Sequence, residues 1–196
     1  MLVLASSSTI RAALLERAGV PLTVDPARVD EAAVKAALLA EAAPARDIAD
    51  ALAALKAQKV SGRHPGALVL GADQVLVADG RLFDKPQDQD DARDQLQALR
   101  GRRHQLLSAA VIACDGAPVW RHVGTADMEM RDFSDAFLED YILRHGDGLT
   151  ATVGCYKLEE DGPQLFSRIA GDYFSILGLP LLQVLSFLRT RGLLGE

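Results

Sequence analysis

A nearly continuous apolar run, Leu68 to Val77, reads as a strand buried on both faces of a sheet, yet Asp73 and Gln74 interrupt its middle. An unpaired buried carboxylate costs several kcal/mol, so Asp73 demands a cation, a metal, a dense set of hydrogen bonds or a place where the strand opens into a cleft. Asp79-Gly80 then offers a tight hairpin turn, after which Phe83-Asp84-Lys85-Pro86 leaves the sheet. An acid and a lysine therefore lie one hairpin apart in the chain.

Upstream, Leu2-Val3-Leu4-Ala5 is a short apolar strand, and Ser6-Ser7-Ser8-Thr9 leads into helical spacing through Ile10, Ala13, Leu14 and Ala18, ended by Gly19 and Pro21. Asp30-Glu31 precedes an alanine-rich helix, Ala32 to Ala42. Asp47 is placed to cap a helix reaching Val60, with Ile48, Ala51, Leu52 and Leu55 on its buried stripe. Downstream, Asp88 to Leu99 is a helix with an acidic first turn, closed by Gly101. His104 to Ala113 and Val119 to Met130 are strands joined across Asp115-Gly116, and Ser134 caps a helix that turns Phe137, Leu138, Tyr141 and Ile142 inward before Gly146 stops it. The last third predicts a strand from Thr150 to Glu159, a turn at Asp161-Gly162 into Gln164 to Ile169, and a closing helix Leu181 to Leu193 with Pro180 as its first residue. Hairpins set among helix crossovers predict an α/β chain with a mixed sheet.

Composition narrows the class. A chain of 196 residues with 49% hydrophobic content holds one sizeable core, so a single domain over 1–196, or two closely packed lobes, is expected. No apolar run approaches the roughly 20 residues of a membrane span, and the first five residues are too short and lack the basic flank of a signal peptide, which predicts a cytoplasmic protein. Cys114 and Cys155 are too few for a disulfide framework or a zinc site and read as reduced thiols. A net charge of -6 argues against nucleic-acid polymers and anionic membranes as partners, while leaving room for a small anion in a local basic pocket.

Three places carry candidate chemistry. With Ser8 as N-cap, the third helical residue is Arg11, where the helix dipole disfavours a cation; this is either an anion site at a helix N-terminus or an ordinary cap with a solvated arginine. Lys56 and Lys59 fall on or beside the apolar stripe of their helix, where their stems can cover apolar surface while the ammonium groups reach water. Arg100, Arg102, Arg103 and His104 form a basic cluster that is a solvated helix end or the rim of a phosphate pocket.

Taken together, Leu4-Ala5-Ser6-Ser7-Ser8-Thr9-Ile10-Arg11, Asp30-Glu31, Lys56-Ala57, Gly71-Ala72-Asp73-Gln74-Val75, Lys85-Pro86, Gly101-Arg102-Arg103-His104 and Gly178-Leu179-Pro180-Leu181 resemble the Maf family in order and spacing, over nearly the whole chain. The resemblance implies a mixed twisted sheet with flanking helices and two lobes around a deep cleft, and a nucleoside triphosphate pyrophosphatase activity. It implies that Ser8 and Arg11 match the family's phosphate motif, Glu31 its acidic residue, Lys56 and Lys85 its two lysines, and Asp73 its catalytic base. A triphosphate bound with a divalent metal, Mg²⁺ or alternatively Mn²⁺, needs cations on its oxygens and hard carboxylates on the metal, and Glu31 and Asp73 are the implied ligands. Asp73 is the favoured base, with the reverse assignment, Glu31 as base and Asp73 on the metal, left open. A homodimer is the family expectation.

Substrate choice is read at Ile10, Gln74 and Glu159, where the pyrimidine-triphosphate branch of the family has Arg, Thr and Gln. Gln74 and Glu159 resemble the 7-methyl-GTP branch, and a carboxylate suits the positive ring of a methylated guanine. Ile10 stands where that branch has Trp, which removes a stacking surface, and Thr9 stands where the family usually has Pro. The alternatives are a pyrophosphatase for dTTP- or UTP-type nucleotides and a non-catalytic nucleotide-binding regulator of cell division.

Overall fold

The computed structural model describes residues 1–195. In chain order the elements are β1 (Leu2–Leu4), α1 (Thr9–Arg17), β2 (Leu22–Val24), α2 (Glu31–Ala40), α3 (Ala45–Ser61), β3 (Leu68–Ala78), β4 (Arg81–Phe83), α4 (Gln89–Leu99), β5 (Arg103–Cys114), β6 (Ala117–Met130), α5 (Asp135–His145), β7 (Phe166–Ala170), α6 (Tyr173–Ile176) and α7 (Leu181–Thr190). Seven strands form one sheet in the order β2-β1-β3-β5-β6-β7, with β4 paired to β3 outside that path. β1 runs parallel to both β2 and β3, whereas β3–β4 and β6–β7 are antiparallel, so the sheet is mixed as the alternation of crossovers and hairpins predicts. Both predicted hairpin turns, Asp79-Gly80 and Asp115-Gly116, are present.

The chain divides into two compact units: Met1–Gln74 with Leu107–Gly124 and the segment from Asp172 onward, and Val75–Leu106 with Thr125–Gly171. The first unit holds the parallel strands, whose successive side chains face opposite sides. Leu2, Leu4, Leu70 and Ala72 pack with Leu14, Leu15, Ile112, Val184 and Leu188, so α1 and α7 cover that face. Val3, Ala5 and Val69 pack with Val60 of α3 on the other. Burial on both faces explains why β1 and the first half of β3, Leu68 to Ala72, read as apolar runs.

Gly71 determines how closely α3 lies on β3. A Cβ built there would fall 2.2 Å from Ala53 O and 2.6 Å from Ala57 N, so helix backbone rests directly on the strand. Ala53 and Ala57, both buried, supply the matching flat surface on the helix. This contact sets the height of α3 above the sheet, and with it the reach of Lys56.

Several expectations need correction. Helix α3 begins at Ala45 with Pro44 at its N-cap and no side-chain cap; Pro44, with φ fixed near -59°, starts the helix ahead of Asp47, which lies in the first turn as a dipole-complementing acid. Pro180 is the N-cap of α7, which ends at Thr190. The expected strand Thr150 to Glu159 is absent: short 3₁₀ turns occupy Gly146–Ala151 and Val153–Cys155. The reason is local, since Gly154 and Cys155 both have positive φ, +79° and +61°, which no strand accommodates. Gln164 belongs to another 3₁₀ turn, Gly162–Leu165, and β7 starts at Phe166.

In the second unit the imidazole of His104 is 3% exposed, its Nε2 2.8 Å from Tyr156 Oη. Burial pushes it from an ordinary value of 6.5 down to about 4. Between those values the unfolded chain binds the extra proton and the native chain does not, so stability rises with pH across this window and falls on acidification. We expect a loss of about 3 kcal/mol from this group on going from above pH 6.5 to below pH 4, because each tenfold drop in proton affinity is worth roughly 1.4 kcal/mol. Urea midpoints of His104→Gln should lack that slope; an unchanged slope would assign the acid sensitivity elsewhere. Among the described residues no helix is long and apolar enough to cross a membrane.

Candidate active site

The β1–α1 connection builds the first part of the site. Ser8 caps α1 by accepting the Arg11 backbone N–H at 3.4 Å, and Ser6 Oγ accepts the Ser8 N–H at 3.2 Å. Arg11 turns inward instead of outward to solvent: Nη1 donates to Ala72 O at 2.9 Å and to Ser6 Oγ at 3.2 Å, and Nε donates to Gly178 O at 2.8 Å. All three acceptors are neutral. Burial draws the guanidinium below its ordinary value, while the negative charges of Asp73 and Glu31 act in the opposite direction. The side chain remains a cation, and it is anchored without its charge being cancelled by those anchors. Gly178 has φ +97°, and a Cβ there would stand 3.4 Å from the guanidinium nitrogens, which accounts for a glycine at the start of Gly178-Leu179-Pro180.

The second part is acidic. Lys56 Nζ lies 2.7 Å from Asp73 Oδ1 and 2.9 Å from Glu31 Oε2. The Lys56 and Asp73 side chains are 9% and 10% exposed and that of Glu31 is 48% exposed, so one half of the triad is buried and the other open. Asp73 shares its strand face with Gly71, the face on which α3 lies, which is why the Lys56 ammonium meets Asp73. The expectation that Lys56 reaches water is thereby overturned, whereas Lys59 is exposed and donates to the Arg28 carbonyl. Glu31 is the first residue of α2, capped by Asp30, whose Oδ1 accepts the Ala33 N–H at 3.0 Å.

The sequence profile described as Maf-like protein matches residues 1–191. The chain belongs to the Maf-like family. It is 61% identical over 191 residues to the nucleoside triphosphate pyrophosphatase of Roseobacter denitrificans, covering 97% of this chain and 96% of that one. It is 58% identical to the nucleoside triphosphate pyrophosphatase of Ruegeria pomeroyi, covering 98% and 97%, and 54% identical to that of Caulobacter vibrioides, covering 97% and 96%.

In this Maf-like protein the first unit contains Ser8, Ile10, Arg11, Glu31, Lys56, Asp73 and Gln74, and the second contains Lys85 and Glu159. Lys85 is exposed just beyond β4, and Glu159 is exposed in the turn before Asp161. Ile10 is partly buried on the first turn of α1. The basic cluster follows the solvated reading: Arg100 pairs with Asp135 at 2.5 Å, Arg102 with Asp79 at 3.3 Å and Arg103 with Glu129 at 3.0 Å, while His104 is buried and neutral.

Two carboxylates aimed at one cation suit a divalent metal that takes its other ligands from phosphate oxygens and water, as magnesium does at nucleotide sites. Glu31 and Asp73 are two carboxylates that would suit such a site, and among the described residues no cluster of three or more His, Cys, Asp or Glu is placed to hold a metal. Sequence reasoning did not single out Ser6 or the carbonyls of Ala72 and Gly178 as the anchors of Arg11. Ser6 was legible in the serine run; the carbonyls carry no side-chain signal.

Proposed function

We propose that this Maf-like protein hydrolyses the α–β phosphoanhydride bond of a nucleoside triphosphate, giving the monophosphate and pyrophosphate, and that its substrate is a modified nucleotide such as 7-methyl-GTP. The observation that carries the reading is the Asp73–Lys56–Glu31 triad within electrostatic range of Arg11: two acids and two cations held together in the first unit. A structural core has little use for such a group, since replacing a buried ion pair by apolar residues is often neutral or stabilising.

In this reading Arg11 and the N–H groups at the start of α1 bind phosphate oxygens. Lys56 holds both carboxylates in place. Asp73, the more buried acid, accepts a proton from water as the water oxygen bonds to the α-phosphorus; the bond to the bridging oxygen breaks and pyrophosphate leaves with that electron pair. Glu31 and Asp73 would hold the divalent cation, which when bound neutralises charge on the phosphate oxygens.

The residue pair Gln74 and Glu159 supports a methylated purine, because a carboxylate attracts a cationic ring where a neutral amide does not. Incubation with a nucleotide panel and magnesium should release pyrophosphate, not single phosphate, with 7-methyl-GTP ahead of GTP. Glu159→Gln should lower the ratio of their kcat/KM values; an unchanged ratio would remove Glu159 from substrate choice, and single phosphate as product would remove the α–β assignment.

A further inference from the structure

Gln74 follows Asp73 on β3, so its side chain faces the opposite side of the sheet, the side of Leu70, Ala72 and α1. There its amide nitrogen is surrounded by acceptors of the first unit: Ser108 Oγ at 2.8 Å, Ile176 O at 3.0 Å and Ser175 O at 3.2 Å. Ser108 is fully buried on β5 and donates its own hydroxyl proton to Ser175 O at 2.6 Å, so a lone pair is what it offers Gln74. The two carbonyls are themselves fixed, because Asp172 accepts both the Ser175 N–H at 2.9 Å and the Ser175 hydroxyl at 2.8 Å. Gly124 packs so tightly on this turn that a Cβ there would be 2.5 Å from Ser175 Oγ.

Two backbone carbonyls and an acceptor hydroxyl admit only the NH₂ end of a carboxamide, so the orientation of Gln74 is dictated by chemistry. Its other end, Oε1, is left over. Among the described residues no group donates to Oε1, and it is not among the side-chain oxygens sealed from solvent without a partner. Gln74, which by type could donate or accept, thus presents an acceptor alone.

We propose that Ser108 is a positioning residue for substrate choice: it holds the Gln74 carboxamide in the one orientation that offers the substrate a carbonyl oxygen, favouring nucleobases that present a ring N–H. The inference rests on the pyrophosphatase reading above. Guanine and uracil carry such a donor; adenine and cytosine have a bare ring nitrogen at the corresponding place. Removing the Ser108 hydroxyl takes away the closest of the three acceptors and leaves the amide on the two longer bonds to the Ser175 and Ile176 carbonyls, which loosens its plane.

The test is a double-mutant cycle on Ser108→Ala and Gln74→Ala, reading kcat/KM for GTP against ATP and for UTP against CTP by pyrophosphate release. Ser108→Ala should lower at least one ratio about 5-fold when Gln74 is present, the weight of one hydrogen bond, and leave it unchanged in the Gln74→Ala background. Ratios that do not move, or that move equally in both backgrounds, would overturn the proposal, since a merely structural serine would slow all four nucleotides alike. A second readout needs no turnover. The Gln74 side-chain amide protons, assigned in a ¹⁵N–¹H spectrum by their loss in Gln74→Ala, should exchange with solvent slowly in the wild type and markedly faster in Ser108→Ala; equal exchange would also overturn it. Protected amide protons in a wild-type protein that releases pyrophosphate from no nucleotide would instead sink the reading on which the proposal rests.

Discussion

Asp73→Asn is expected to lose roughly 100- to 10,000-fold in the rate of pyrophosphate release while remaining folded. The amide is isosteric and keeps an oxygen for the Lys56 ammonium, now 2.7 Å from Oδ1, and Glu31 still balances the lysine charge from 2.9 Å. What the amide cannot do is take a proton from water. The loss should therefore fall on kcat, with a urea midpoint close to the wild type. If turnover falls by less than about 10-fold, Asp73 is not the base, and the same experiment on Glu31→Gln decides whether the roles are reversed.

Lys56→Met carries the largest expected effect on stability. It removes the cation from a carboxylate whose side chain is only 10% exposed, and an orphaned buried charge costs about 3–5 kcal/mol. Glu31, nearly half exposed, adds little to this, because water screens it. The double variant Lys56→Met/Asp73→Leu should recover most of the lost stability, since removing both charges leaves no orphan, yet it should stay inactive. Denaturant midpoints of the three proteins check this; a single variant as stable as the wild type would mean that Asp73 finds another partner. The contrast between recovered stability and absent activity would separate the triad's function from any contribution to folding.

Much of this was legible in the sequence, but unevenly. The demand of Asp73 for a partner followed from a carboxylate inside an apolar run. The identity of the partner did not, because Lys56 sits on a stripe where periodicity allows either a buried or a snorkelling ammonium. Only the approach of α3 over Gly71 decides between them. Glu31 looked like any helix-start acid, and its role near Lys56 was implied by family resemblance alone. Ser8 and Arg11 were readable as an N-cap and a misplaced cation, whereas the carbonyls that turn Arg11 inward come from residues 61 and 167 positions away. The misread stretch Thr150 to Glu159 fails for a different reason. Left-handed backbone at the non-glycine Cys155 is invisible to any pattern of apolar and polar positions.

The missing methyl at Gly71 has a consequence for the economy of turnover. Because helix backbone touches strand backbone there, the separation of lysine and aspartate is inherited from the rigid scaffold and does not wait for a nucleotide to draw the groups together. The work of desolvating and gathering these charged groups is done once, as the chain folds, and need not be repeated in each catalytic cycle.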